Sequence, residues 1–262
     1  MEEVMLNIPT AVNLIGILLC VALWAGLYHV LCQLNSGCSR EWNCRLVTAV
    51  HAVILVCLSG WCAFVQGPWP FTHPGGPNTA LQQLSVMLSL GYFIFDFTWC
   101  LHMGTEGPVM LVHHFLSILG QSVTVLRQLY GTEMVATIFG TELTNPFLQM
   151  RWFLRERNKH HTWYAEVNDL LFMGLFGFLR IGVASNLLYC YLHHSRPDMF
   201  GKLGGCCIYT IGWVFWVQIV RYAIRKYTKR YRNHRATTDK QRHHVNGYIN
   251  GTSSKTDKVK TS

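Results

Sequence analysis

The sequence predicts an all-α protein: a multi-pass transmembrane helical bundle of about seven spans. Three observations carry that expectation. Half of the 262 residues are apolar and only 13% are charged, against about 25% in an ordinary soluble protein. Several apolar runs reach the roughly 20 residues that a membrane-crossing helix needs. The charge is also unevenly placed: from Arg221 onward there are 12 Lys and Arg and 2 Asp and Glu, so a short tail holds the whole excess of the +9 net charge. The body is close to neutral, and a general nucleic-acid-binding role is therefore excluded.

The runs fall in order along the chain. Residues 8–34, 46–66, 80–103, 108–130 and 204–227 read as spans directly, and 167–192 reads as a sixth that Arg180 interrupts. The segment 133–154 is the seventh and the most polar, with Glu133, Glu142, Asn145 and Pro146. Irregular backbone cannot face lipid, so this segment must be shielded by its neighbours if it crosses. The organisation expected is a first transmembrane helix in 1–34, a membrane domain in 35–230 and a disordered basic tail in 231–262. The start Met1-Glu2-Glu3 lacks a basic flank, so the first apolar run reads as a retained helix rather than a cleaved leader.

Orientation follows from the basic residues in the loops. Arg40 and Arg45, the cluster Arg151, Arg155, Arg157 and Lys159, and the tail fall on one side only if the chain crosses an odd number of times. This places the N-terminus outside and the C-terminus in the cytosol. The loop from Gly67 to Asn78 is rich in turn formers and has no basic residue, as an outside loop should.

Ionisable side chains inside a span are costly and are functional candidates by default. Here they are Asp96, His113, His114, Glu142 and Arg180, with Asn168 and Asp169 near a helix mouth. At 1.5 Å per residue, Asp96 lies about 10 Å above the inner end of its helix and the histidine pair about 8 Å above the end of the next, so these groups share a level. Glu142 and Arg180 lie about 18 and 20 Å up, which predicts an ion pair. Adjacent helical positions point about 100° apart, so His113 and His114 cannot face the same point.

Metal and hydrolytic motifs are absent. No Cys-x-x-Cys pair, no histidine box of the membrane di-iron type and no Gly-x-Ser-x-Gly elbow occurs, so no metal site and no cofactor are expected. Cysteines inside the apolar runs, Cys100 among them, read as small hydrophobes.

Three stretches together carry a resemblance: Gly91-Tyr92-Phe93-Ile94-Phe95-Asp96, His113-His114-Phe115, and the run from Glu142-Leu143-Thr144-Asn145-Pro146-Phe147 to Arg151-Trp152. Their order and spacing resemble the TLC domain family, in its small single-domain form, over roughly residues 35–230. The resemblance implies a helical bundle around a lipid-sized cavity, membrane lipids as partners, and a role in membrane lipid composition. It also implies two alternatives. One is a lipid N-acyltransferase similar to ceramide synthases, with acyl-CoA as substrate. His113 and His114 would then do the chemistry, Asp96 would orient a ring, and Thr144 or Asn145 would donate to the oxyanion. The other is a cargo or translocation factor of the endoplasmic reticulum. Glu142, Thr144, Asn145, Pro146 and Arg180 are the expected structural or substrate-pocket residues.

The chain ends Lys258-Val259-Lys260-Thr261-Ser262. The spacing of Lys258 and Lys260 resembles a dilysine retrieval signal, which predicts the endoplasmic reticulum, with the Golgi or plasma membrane as alternatives.

Overall fold

The computed structural model describes the backbone of residues 8–257 and the side chains of 8–232 and 235. Among the described residues nine helices run in order: α1 (Thr10–Leu34), α2 (Arg40–Trp61), α3 (Ala80–Met103), α4 (Pro108–Arg127), α5 (Gly131–Glu142), α6 (Asn145–Glu156), α7 (Trp163–Phe176), α8 (Ala184–His193) and α9 (Met199–Asp257). A π-helical turn, Cys62–Gln66, extends α2, and a second, Gly177–Val183, joins α7 to α8. No strand occurs among the described residues. The chain divides into two units, Met1–Val214 and Phe215–Ser262.

Local chemistry sets the helix ends. The Ser39 hydroxyl accepts the Trp42 N–H at 3.1 Å to start α2. Thr79 and Gln82 form a reciprocal capping box at the start of α3, which ends on Gly104 in the left-handed region at φ 63°. Pro108 opens α4, where a missing N–H costs nothing.

Among the described residues six helical segments are long and apolar enough to cross a membrane: Thr10–Leu34, Arg40–Gln66, Ala80–Met103, Pro108–Arg127, Trp163–His193 and Met199–Arg232. The outer surface supports that reading. In α1 only Asn13 and Trp24 are buried, while Leu18 and Leu19 are about two-thirds exposed. Such an apolar exterior is stable against lipid and not against water.

The polar segment is not one helix. Pro146 has no N–H to give the Glu142 carbonyl, and the ladder breaks at Leu143 and Thr144, leaving α5 and α6 end to end. The pair still traverses the bundle, running antiparallel to the whole of α2. Phe139 packs on Phe64 at 4.9 Å, Glu142 meets His51, Gln149 reaches Arg45, and Trp152 lies 5.9 Å from Trp42. At the break Thr144 is buried and Leu143, Asn145 and Pro146 are half-buried against these neighbours.

α3 is the central helix. Val86 and Leu90 pack with Leu55, Val125, Val135 and Ile138, while Tyr92, Phe93 and Phe95 pack with Trp24 and Val47. α1 approaches α3 closely at Gly91, where an added Cβ would stand 2.8 Å from the Cys20 backbone carbon. The Trp24 indole N–H donates to the Leu88 carbonyl at 3.0 Å across the same seam. The loop before α3 is held by amides: Asn78 donates to Gln83 at 2.7 Å, Gln83 to Asn13 at 3.0 Å, and Gly131 N–H to Asn78 at 2.7 Å.

Residues 231–262 were expected to be irregular. The backbone is helical as far as Asp257 instead. The segment has no proline, and its Lys, Arg and Gln residues are good helix formers. Lys258 and Lys260 lie outside the described residues.

Candidate functional site

The hairpin of α3 and α4 brings Asp96 and His114 together, with His114 Nε2 3.5 Å from Asp96 Oδ2. Both are buried. The carboxylate collects two thiols as well: Cys44 of α2 donates to Oδ1 at 3.6 Å, and Cys100, one turn on in α3, to Oδ2 at 4.0 Å. His113 points elsewhere, as the 100° offset requires, and lines a cavity. Phe93 stands edge-on to both rings, at 6.1 Å from His113 and 5.7 Å from His114. The two histidines therefore serve different environments.

Glu142 does not pair with Arg180. Its Oε2 accepts from the Asn145 amide at 3.0 Å and lies 3.5 Å from His51 Nδ1. Arg180 donates from Nη2 to the Thr141 carbonyl at 3.0 Å. The physical reason is the helix break. The Phe139 carbonyl still accepts the Leu143 N–H, but beyond it the ladder breaks and leaves the Thr141 carbonyl open to other donors, and a helix C-terminus attracts a cation. Arg180 takes that acceptor, and its guanidinium also sits 5.0 Å over the Phe176 ring.

His51 was not among the sequence candidates. It is fully buried, stacks on Tyr92 at 3.7 Å and meets the edge of Trp24 at 5.4 Å. An ionisable residue within the apolar run 46–66 is the signal that would have found it.

Polar contacts continue from Glu142 along α6. Asn145 accepts from Gln149 at 2.8 Å, and Gln149 accepts from Arg45, which pairs with Glu41 at 2.9 Å and Glu106 at 3.2 Å. Burial raises the Glu106 carboxyl above its usual range and the Arg45 guanidinium opposes that shift. Thr144 donates to the Thr141 carbonyl at 2.9 Å. Asn168 donates to the Phe147 carbonyl at 2.9 Å and Asp169 lies 3.4 Å from Arg151, so both tie α7 to α6.

The cavity lies between α4, α5, the second π turn with α8, and the start of α9, with a volume of about 350 Å³. Its walls are mostly aliphatic and aromatic, among them Leu116, Leu119, Met134, Leu187 and Ile208. Its polar lining includes His113, Thr137, Thr141, Arg180 and Tyr209, with Thr124, Tyr130, Glu133 and Tyr191 as well, Glu133 accepting the Gly75 N–H at 3.0 Å. The Arg180 Nε is buried and has no hydrogen-bond partner. Asp96, His114, Glu142, Thr144 and Asn145 do not line this space.

These features define a class: an all-α, multi-pass membrane bundle with a partly open apolar cavity that carries a histidine and an arginine. The sequence matches the TLC domain over residues 41–226, and the chain belongs to that family. Among its relatives, TLC domain-containing protein 4 A of Dictyostelium discoideum is 25% identical over 212 residues, covering 76% of this chain and 80% of the relative. TLC domain-containing protein 4-B of Danio rerio is 33% identical over 149 residues, 55% of each chain. TLC domain-containing protein 2 of Danio rerio is 28% identical over 147 residues, 54% of this chain and 57% of the relative.

Proposed function

We propose that the protein holds one lipid-type molecule in the cavity and acts through it on membrane lipid composition. The observation that carries this reading is an apolar cavity at membrane depth whose polar groups include His113 and Arg180. Its volume of about 350 Å³ falls within the roughly 300–1,000 Å³ of ordinary small-molecule sites. The Arg180 Nε, buried without a partner, supports an anionic or strongly accepting head on the ligand, because an unpaired buried donor is costly. Within the family, we place the chain beside TLC domain-containing protein 5, on the run from Glu142 to Trp152.

Catalytic acyl transfer has less support. His114 and Asp96 lie off the cavity, and the hydroxyl and amide offered as oxyanion donors are already engaged, Thr144 to Thr141 and Asn145 to Glu142. Residence in the endoplasmic reticulum, with the tail in the cytosol, belongs to the same proposal and rests on the loop charges and on Lys258 and Lys260.

Gly140 gives the test. It lines the cavity, and a Cβ added there meets nothing within 4 Å. The Gly140→Leu variant therefore fills the space without disturbing the bundle. Lipid extracted from purified protein should fall well below that from the wild type, and cells carrying the variant should show the lipid profile of cells lacking the protein. Equal lipid content in the two proteins, or a wild-type profile in the variant cells, would refute the reading.

A further inference from the structure

We propose that Asp96, Cys100 and His114 form a binding site for a soft divalent cation, Zn²⁺ being the best fit, with water as the fourth ligand and Cys44 alongside. The ligand-type atoms of Asp96, Cys100 and His114 all lie within 4.8 Å of one another, and the three residues are buried. Cys44 stands on the other oxygen of the same carboxylate, at 3.6 Å.

Geometry is the first support. With Zn–N and Zn–O near 2.0 Å and Zn–S near 2.3 Å, the ligand atoms of a tetrahedral site stand about 3.3 to 3.8 Å apart. Here His114 Nε2 is 3.5 Å from Asp96 Oδ2, Cys44 Sγ is 3.6 Å from Oδ1, and Cys100 Sγ is 4.0 Å from Oδ2. Small side-chain rotations close Asp96, Cys100 and His114 on one ion, and Cys44 stands beside that set on the second carboxylate oxygen.

Chemistry is the second support. A buried carboxylate ordinarily recruits strong donors, such as backbone N–H groups or arginine. Around Asp96 stand an imidazole at a long 3.5 Å, two thiols, which are weak donors, and the Tyr92 hydroxyl, with no backbone N–H or arginine bonded to it among the described residues. Thiolate, imidazole and carboxylate are the zinc ligands among side chains. Cys100 would bind as the thiolate, its proton leaving to water, so that one thiolate and one carboxylate balance the charge of the ion. That balance matters in a buried site.

Placement is the third support. The ligands come from α3 and α4, so an ion joins these two spans, with Cys44 of α2 beside it. The site lies toward the same end of the bundle as the loop Gly104–Gly107 and the Arg45–Glu106 pair. This inference is independent of the cavity proposal, because His113 faces the cavity and His114 the cluster.

The full chain purified in detergent without chelator should carry about one zinc per protein by elemental mass spectrometry. Cys100→Ser should lower that content at least fivefold, while Cys57→Ser, at an exposed free thiol, should leave it unchanged. A second measurement needs no variant. Wild-type protein stripped with chelator should show alkylation of Cys44 and Cys100 by N-ethylmaleimide in partly opened conditions, and added Zn²⁺ should slow that labelling at least tenfold without slowing it at Cys57. Absence of stoichiometric metal together with Zn²⁺-independent labelling would overturn the proposal. So would a full zinc content in Cys100→Ser.

Discussion

The pairing of Glu142 with His51 instead of Arg180 can be decided by two double-mutant cycles. His51→Phe keeps an aromatic ring against Tyr92 and removes the polar edge, and Glu142→Gln keeps an acceptor for the Asn145 amide. Both native side chains are at most 4% exposed, so water cannot replace the lost partner. Removing one member of a buried pair costs about 3–5 kcal/mol when geometry is good. The 3.5 Å separation is long against the usual N–H···O distance of about 2.9–3.0 Å. Each single change should therefore cost about 1–3 kcal/mol, with a coupling energy of about 1–2 kcal/mol between the two sites. Thermal unfolding in detergent can read this, since about 1 kcal/mol moves the midpoint by roughly 2–4 °C in a chain of this size. In the second cycle, Arg180→Met removes the bond to the Thr141 carbonyl, and its coupling to Glu142→Gln should be smaller than that of His51. Larger coupling to Arg180 than to His51 would refute the assignment and restore the ion pair expected from depth.

Three other outcomes are expected. Gly91→Ala should lower folded yield, by about 1–3 kcal/mol of overpacking against Cys20, while Gly26→Ala, where an added Cβ meets nothing within 4 Å, should be neutral or slightly stabilising; size-exclusion profiles of the two variants compare them directly. The Asp198 carboxyl is held down at about 2 by the Gly201 N–H and by Arg127, so its stabilisation is present above the ordinary Asp pKa and lost as pH falls through about 2. Asp198→Asn should thus lower the unfolding midpoint slightly at pH 5 to 7, by under about 1 kcal/mol because the pair is exposed, and the difference from wild type should close as pH drops; a gap that widens in acid contradicts this. Changing Lys258 and Lys260 to Ser should move a tagged chain forward to the Golgi by fluorescence microscopy, and unchanged endoplasmic-reticulum staining would remove the retrieval role.

The helical, multi-pass character was legible because it depends on composition and run length alone: an apolar residue in a span reports its environment whatever it touches. The level shared by Asp96 and His114 was legible too, since helix rise converts chain position into depth, and the opposed directions of His113 and His114 followed from the turn angle. Partner choice was not. Depth placed Glu142 beside Arg180, yet azimuth and the Pro146 break decided that Arg180 would take the Thr141 carbonyl and Glu142 would meet His51. Likewise Cys100 counted as a small apolar residue until the packing of α2 and α3 brought it, with Cys44, onto one carboxylate. A one-dimensional string carries hydropathy, periodicity and depth. Which faces of different helices meet is fixed by close approaches such as Gly91 on Cys20, and only the packed bundle determines those.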